Sequence, residues 1–253
     1  MGTADELVPL LKKLRLSGVL ETYELRVRQA LEDQVAPGEF LVRLLRDEVD
    51  RREAKQLAMR LRKAAFEHSK TLEDFDFAFN DHVPKTRIID LATCGFIERH
   101  ANVLLVGPTG TGKSHLAQAL GHRACRRGFS TRYIDATRLF AELRAARADG
   151  TLDRKLHSLT RLDLLILDDL GLHPLQGTDQ LDLYDVIRTR YERGSLVVTS
   201  NRAVDELYPL FSDPLLASAA MDRLLHHSHV IELTGRSYRT SGRPSRVSPT
   251  PAR

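Results

Sequence analysis

The octapeptide GPTGTGKS at residues 107–114 constrains the fold of this chain more than any other feature. It follows an apolar run, NVLLVG (102–107), and it opens a stretch of helical periodicity over residues 113–127. The pattern G-x-x-x-x-G-K-[ST] between a strand and a helix is typical of a phosphate-binding loop. Its glycines let the backbone wrap a phosphate group, and the N-terminus of the helix favours the negative charge. A chance glycine-rich turn is the weaker interpretation, because both flanking elements are present.

Further apolar runs alternate with helical stretches beyond the loop. The runs that read as buried strands are TRYID (131–135), LDLLILD (162–168) and SLVVTS (195–200). Helical periodicity occupies the intervals 137–148 and 179–193. Because parallel strands need a crossover connection, this alternation predicts an α/β fold whose parallel sheet is covered on both faces.

The chain ahead of the loop has a different pattern. Leucines recur at helical spacing within residues 4–33, the tripeptide APG breaks the pattern, and a second helical run follows. We therefore expect a small all-helical domain over residues 1–70. The aromatic and acidic segment TLEDFDFAFN (71–80) is expected to be a connector that docks on a nucleotide-binding domain spanning residues 71–239. Residues 240–253 are rich in Pro, Ser and Arg, which predicts a disordered basic tail.

Composition indicates a protein of a reducing compartment. The chain has 253 residues and two cysteines, Cys94 and Cys125, without the CxxC spacing of a metal or redox motif. Its first residues lack the order of a signal peptide, and no apolar run approaches the roughly 20 residues that span a bilayer. We expect a cytoplasmic protein that has no membrane partner.

Basic residues cluster in two places. Residues 51–70 carry seven Lys or Arg and two Glu, and residues 234–253 carry five Arg and no acid. Either cluster alone could be a solvated face, but two clusters on one chain favour a polyanionic partner. The residues expected to contact the phosphate backbone of double-stranded DNA are Arg51, Arg52, Arg60, Arg62 and Lys63. Such contacts give affinity without sequence preference.

Polar residues follow two of the predicted strands. In LLILDDLG, Asp168 and Asp169 emerge at the carboxyl end of the strand, the edge where open α/β sheets bind ligands. Asp168 is expected to hold the hydration shell of Mg²⁺, and Asp169 to orient and polarise the attacking water. Asp169 could instead only cap the next segment. In VVTSN, Asn201 could reach a water or the γ-phosphate, although Ser-Asn also makes an ordinary turn.

The stretch MDRLLHHSH (221–229) raises the question of a metal site. His226, His227 and His229 have no adjacent carboxylate or thiolate, and they follow a helix that begins near Pro214. Histidines at the end of a helix are favoured by its dipole, so this interpretation is preferred to metal binding. Arg223, in the same stretch, is the stronger candidate for chemistry, although an ion pair with Asp222 is the alternative.

The motifs together resemble one family. The order GPTGTGKS, LLILDDLG, VVTSN and MDRLLHHSHVIELTGRSYR is similar to the IstB-like AAA+ ATPases that assist insertion-sequence transposition. The segments KTLEDFDF and DPLLASAAMDRLLHHSHVI also resemble this family, and the resemblance covers nearly the whole chain. A phosphate loop is shared by all P-loop NTPases, whereas DRLLHHSHVI with SYR is more specific. The helicase loader DnaC is a similar protein.

The resemblance implies an activity and partners. It implies an AAA+ sheet preceded by the helical domain, with ATP and Mg²⁺ as cofactors and ATP at the interfaces of a homo-oligomer. Such an ATPase would oligomerise on target DNA and recruit the transposase encoded by the same element. A replicative helicase loader is the alternative function. A small-molecule kinase would need a substrate pocket and a lid, which the DD and TSN patterns do not indicate.

The motif and the resemblance together assign roles to residues. The expected ATP-binding residues of the loop are Gly107, Pro108, Thr109, Gly110, Thr111, Gly112, Lys113 and Ser114. Lys113 would reach the β- and γ-phosphates, and the Ser114 hydroxyl would ligate Mg²⁺. By resemblance, Arg223 would face the nucleotide of the next subunit, and Arg236 and Arg239 would sense nucleotide within the subunit. Many relatives carry an acid in place of Arg236, whose charge could instead contact DNA.

Overall fold

In the computed structural model the described residues are 3–80 and 82–238, and they form two compact units that divide between Met59 and Arg60. This division precedes the boundary predicted after Lys70. Phe66 belongs to the second unit because its ring stacks on that of His122, with 4.4 Å between the centroids. Arg239 and the predicted tail at 240–253 lie outside the described residues.

The first unit is helical. It contains α1 (Thr3–Lys13), α2 (Ser17–Glu32) and most of α3 (Pro37–Ala64). The leucine pattern of residues 4–33 therefore belongs to two helices rather than one, because the chain turns at Arg15, which has a φ of 57°. A small core of buried side chains holds this unit together and contains Leu11, Val19 and Leu44.

The second unit is built around a five-stranded sheet. After α4 (Lys85–Leu91) and α5 (Gly95–Glu98), the elements are β1 (Asn102–Val106), α6 (Lys113–Arg126), β2 (Thr131–Asp135), α7 (Ala136–Ala148), α8 (Leu152–Thr160), β3 (Leu164–Asp168), α9 (Asp179–Arg190), β4 (Ser195–Ser200), a 3-10 helix (Asp205–Leu210), α10 (Pro214–Leu225) and β5 (Ser228–Glu232). The strand order is β2-β3-β4-β1-β5, and all pairs are parallel. The predicted parallel α/β fold is confirmed.

Alternation along the strands explains why both faces of the sheet are covered. In β1, Leu104 and Val106 enter one apolar core, and Val103 and Leu105 enter another on the opposite face. Helices α7 to α10 contribute to the first core, and α4, α5 and α6 contribute to the second. Since both faces are buried, β1, β3 and β4 are apolar runs without a polar side chain at every second position.

Helix α8 was not predicted, because its polar residues obscure a short apolar face on which Leu156 and Leu159 are buried. Among the helices of residues 3–80 and 82–238, none has the length and apolar character needed to cross a membrane.

Candidate functional site

The loop between β1 and α6 is a tight cradle of backbone. Gly107, Gly110 and Gly112 all have positive φ, at 133°, 86° and 97°. A Cβ atom at Gly107 would lie 2.0 Å from the carbonyl oxygen of Leu233, which follows β5, so no larger residue fits there. The loop can thus adopt a conformation that side chains would prevent, and its amides precede the N-terminus of a 14-residue helix.

Lys113 is folded back over this loop. It is 4% exposed, and its Nζ donates hydrogen bonds to the carbonyl oxygens of Gly107 at 2.7 Å and Pro108 at 2.8 Å. Thr111 Oγ1 also donates to the carbonyl of Pro108, at 2.9 Å. The ammonium group is therefore held beside the loop backbone, where a bound anion would meet it.

Asp168 and Asp169 occupy different environments although they are neighbours. Asp168 is 4% exposed, its Oδ2 accepts a hydrogen bond of 2.5 Å from the Tyr133 hydroxyl, and its Oδ1 accepts one from the Thr199 hydroxyl. Burial, together with this bond to Asp168, raises the pKa of the Tyr133 phenol far above its ordinary value, so the phenol stays a donor. Asp169 has a φ of 53° and its side chain lines a cavity.

This cavity, of about 450 Å³, brings most of the predicted site together. Its wall contains residues 109–114 of the loop and, from other parts of the chain, Asp169, Asn201 and Arg236. Asp168 does not belong to the wall, because its carboxylate points into the hydroxyl pair just described.

Sequence reasoning missed part of the wall. The connector at residues 71–80 supplies Asp74, Phe75, Asp76, Phe79 and Asn80 to the cavity. It is fixed there by His115, whose Nε2 lies 2.8 Å from the carbonyl oxygen of Thr71. The aromatic character of the connector was a signal for this location, but without a period it did not indicate which surface the rings cover.

The segment after β5 closes another side of the cavity. The amide of Tyr238 donates to the carbonyl of Gly110 at 3.0 Å, and the Tyr238 ring meets that of Phe79 edge-on, with 4.9 Å between centroids. Asn80 Nδ2 donates to the carbonyl of Thr234 at 2.7 Å. Arg236 is thereby placed in the cavity wall.

Arg223 lies beside the amino-terminal ends of the strands, opposite the carboxyl ends that carry the loop. It lines a separate cavity of about 260 Å³, together with residues at the starts of β1 and β4, Asn102 and Leu196. The guanidinium donates to the carbonyl of Ala219 at 2.7 Å and lies 5.7 Å from the centre of the Tyr184 ring. Since β1 spans roughly 16 Å, Arg223 is far from the loop that follows this strand.

The three histidines do not converge. His226 lies directly after α10, where its Nδ1 is 3.0 Å from the Tyr191 hydroxyl, and the rings of His226 and His227 are 3.9 Å apart. His229 belongs to β5, and burial followed by the charge of Arg99 lowers its pKa. No group of three or more His, Cys, Asp or Glu side chains in the described ranges could hold a metal ion.

The residues expected to contact DNA differ in their surroundings. In the first unit, Arg51 pairs with Glu21 at 2.8 Å and Arg52 pairs with Glu48 at 2.6 Å. In the second unit, Arg60 donates to the carbonyl of Cys125 at 2.9 Å. Arg62 and Lys63 are exposed, and we find no hydrogen bond or ion pair for them within residues 3–80 and 82–238.

The fold and the site define a class of protein. A glycine-rich loop and its lysine follow an inner strand of a five-stranded parallel sheet, an acid follows the strand two places away, and an asparagine follows the strand between them. This arrangement is that of the AAA+ P-loop ATPases. Solved structures agree: the chain matches DnaI with a TM-score of 0.57 and 24% identity, over 66% of this chain and 92% of that one. It matches the DnaC helicase loader with a TM-score of 0.51 and 20% identity, over 59% and 87%.

Sequence comparison identifies the family within this class. The family model described as IstB-like ATP binding protein matches residues 9–245. An insertion-sequence ATP-binding protein of Mycobacterium tuberculosis is 39% identical over 94% of this chain and 95% of its own length. Another, from Pseudomonas aeruginosa, is 36% identical over 92% and 88%. The chain belongs to the IstB-like family of insertion-sequence ATP-binding proteins, and it is an ATPase.

Proposed function

We propose that this ATPase is a DNA-binding regulator of transposition, which oligomerises on target DNA, hydrolyses ATP and recruits the transposase of the same element. The observation that carries the proposal is the cavity in which Lys113, Asp169 and Asn201 share one wall with Arg236. Binding of a triphosphate in this cavity would place its negative charge against the loop. The family's association with insertion sequences connects ATP binding and hydrolysis to transposition.

The loop suits the phosphates of ATP. Residues 109–114 offer backbone amides at the start of α6, and the Lys113 ammonium can exchange its two carbonyl acceptors for phosphate oxygens. The connector contributes Phe75 and Phe79, whose rings offer an apolar surface for a base. Both groups of residues line the same cavity, so one nucleotide could contact them together.

The residues also suit Mg²⁺. Ser114 lines the cavity and offers a hydroxyl oxygen of the kind that this ion prefers as a ligand, and Asp168 would hold the hydration shell of the ion. When bound, Mg²⁺ neutralises the charge that develops on the phosphate oxygens. Asp169 would polarise the attacking water, Asn201 would orient it, and Arg236 would respond to the γ-phosphate.

Arg223 is proposed to act on the nucleotide of a second subunit. The separation between its cavity and the loop of its own chain supports this role, since the side chain is too short to cross the length of β1. A planar guanidinium suits a transferring phosphoryl group. Hydrolysis would then require the homo-oligomer.

Exposed cations support the contact with double-stranded DNA. Arg62 and Lys63 are available for phosphate groups, whereas Arg51, Arg52 and Arg60 would have to exchange an internal partner for DNA. We therefore expect Arg62 and Lys63 to contribute more affinity than the other three, and to do so without sequence preference.

The proposal is tested by capture of a purified partner. With ATP and a double-stranded oligonucleotide present, the immobilised protein should retain the transposase of its own element and not a replicative helicase. Lys113→Ala should weaken ATP binding about 10- to 100-fold, because charge-assisted hydrogen bonds to phosphate are lost, and should remove most of the retention when ATP is kept near the wild-type dissociation constant. Lys12→Ala, an exposed lysine of α1, is the matched control.

Two results would contradict the proposal. Retention of the helicase in place of the transposase would support the loader function. Full retention of the transposase by the Lys113→Ala protein, at an ATP concentration where a fluorescent ATP analogue shows its site to be largely empty, would separate partner binding from nucleotide binding and contradict the proposal.

A further inference from the structure

One hydroxyl connects the two aspartates that follow β3. Thr199, on the neighbouring strand β4, is fully buried. Its hydroxyl donates a hydrogen bond to Asp168 Oδ1 and accepts one, at 2.9 Å, from the backbone amide of Asp169. A hydroxyl has one donor and two acceptor lone pairs, so both bonds can exist at the same time.

Asp169 needs a support of this kind. Its φ of 53° is a left-handed conformation that residues other than glycine rarely adopt, and such conformations persist where surrounding contacts hold them. The next amide, that of Leu170, donates to the carbonyl of Thr199 at 2.9 Å. Thr199 therefore binds the peptide groups on both sides of the Asp169 Cα and sets the direction in which its side chain leaves the backbone.

Tyr133 differs from Thr199 in one respect, which allows the roles of the two hydroxyl groups to be tested separately. Its hydroxyl also donates to the buried carboxylate of Asp168, at 2.5 Å, but no bond from Tyr133 to the Asp169 backbone is seen in the part of the chain that the structure describes. The two hydroxyls thus donate to different oxygens of one carboxylate, while Thr199 alone of this pair reaches the backbone of Asp169.

We propose that Thr199 is a positioning residue for ATP hydrolysis, whose hydroxyl aims the Asp169 carboxylate at the attacking water. Thr199 does not line the cavity itself, in contrast to Asn201, which directly follows the same strand. The inference rests on the proposed function, because it takes Asp169 as the group that polarises water. Loss of the hydroxyl should leave the phosphate loop intact and disturb the reacting geometry alone.

The experiment compares Thr199→Val with Tyr133→Phe. Each variant removes one buried hydroxyl donor from Asp168 and keeps the shape of the side chain. For Thr199→Val we expect kcat to fall about 10- to 100-fold, the order of loss that follows a displacement of about 1 Å, with the dissociation constant of ATP within about threefold of wild type. For Tyr133→Phe we expect kcat within about threefold of wild type.

Two further variants complete the test. Thr199→Ser keeps the hydroxyl and should restore kcat to within about threefold of wild type. Thr199→Cys serves if Thr199→Val does not fold, since a thiol is a weak donor and a weak acceptor, and a folded Thr199→Cys protein should lose kcat several-fold. Circular dichroism and ATP affinity establish that each variant is folded.

The outcomes distinguish this inference from the function on which it rests. Asp169→Asn with normal turnover would remove the role of Asp169 and the proposed function with it. An inactive Asp169→Asn beside a fully active Thr199→Val would overturn the positioning role alone. Equal losses of kcat in Thr199→Val and Tyr133→Phe would also overturn it, because the effect would then pass through Asp168.

Discussion

Arg190 is a fully buried cation near the end of α9, with 1% of its surface exposed. Its guanidinium donates to the carbonyl of Leu159 and, at 2.8 Å, to that of Ser195. Burial lowers its pKa to about 10, and the attraction of Asp163 only partly offsets this. The side chain thus ties the end of α8 to the start of β4 through hydrogen bonds to the carbonyls of buried residues.

Arg190→Ala should therefore destabilise the second unit by about 3–5 kcal/mol, because it leaves a cavity and unsatisfied buried carbonyls. Arg188→Ala is the matched control: this arginine is exposed on the same helix and pairs with Asp185 at 3.0 Å, a contact worth about 0–1 kcal/mol. Chemical denaturation measures both variants. Equal free energies of unfolding would show that the buried guanidinium contributes no more than a surface one.

At the scale of residues, the candidate positions that the structure brings into one cavity are those that a strand end determines. Asp169 and Asn201 meet Lys113 in one cavity because each follows a parallel strand, and parallel strands end at the same edge. Thr199 and Arg190 could not be found in this way. Their roles depend on partners in other strands and helices, and an arginine in a helical run reads as a surface residue.

At the scale of elements, Glu48 on α3 holds the start of α2. Its Oε2 accepts from the amide of Gly18 at 2.6 Å and of Val19 at 3.3 Å, and its Oε1 accepts from Arg52 at 2.6 Å. Burial favours the neutral carboxyl, but these hydrogen bonds outweigh it and lower the pKa of Glu48. A carboxylate from another helix thus supplies the cap that α2 lacks in its own sequence.

Glu48→Ala should expose the first turn of α2 and cost about 2–3 kcal/mol, measured as faster hydrogen exchange of its amides. In the wild type, a lowered folded-state pKa means that this stabilisation is present above the ordinary carboxyl pKa of about 4.3 and is lost as the pH falls through the lowered value. Exchange in the variant should lack that acid dependence. Glu53→Ala, an exposed glutamate of the same helix, should behave as wild type.

Elements were predictable where periodicity was strong. The strands β1 to β4 and the helices α6, α7 and α9 agree with their predicted ranges to within a few residues, because their apolar positions face cores on both sides of the sheet. The connector at 71–80 forms no regular element and follows the surface of the cavity, so no period could have predicted its path.

At the scale of the whole molecule, Arg223 and Lys113 lie at opposite ends of the strands of one sheet. If ATP is hydrolysed between two copies of the chain, each active site combines the loop of one subunit with Arg223 of another. Arg223→Ala and Asp169→Asn should then each bind ATP and lose turnover, for different reasons. The first lacks the cation offered to its neighbour, and the second lacks the group that polarises water.

Mixing the two inactive variants should restore turnover. In a random one-to-one mixture, about a quarter of the interfaces pair an intact Asp169 with an intact Arg223, since such a head-to-tail interface uses different surfaces of the two subunits. We expect up to about a quarter of the wild-type rate, because the sites work separately in this scheme. Mixing Arg223→Ala with the double variant Arg223→Ala/Asp169→Asn is the control and should stay inactive. A mixture that remains as inactive as its components would place the action of Arg223 within its own subunit, which the length of β1 argues against.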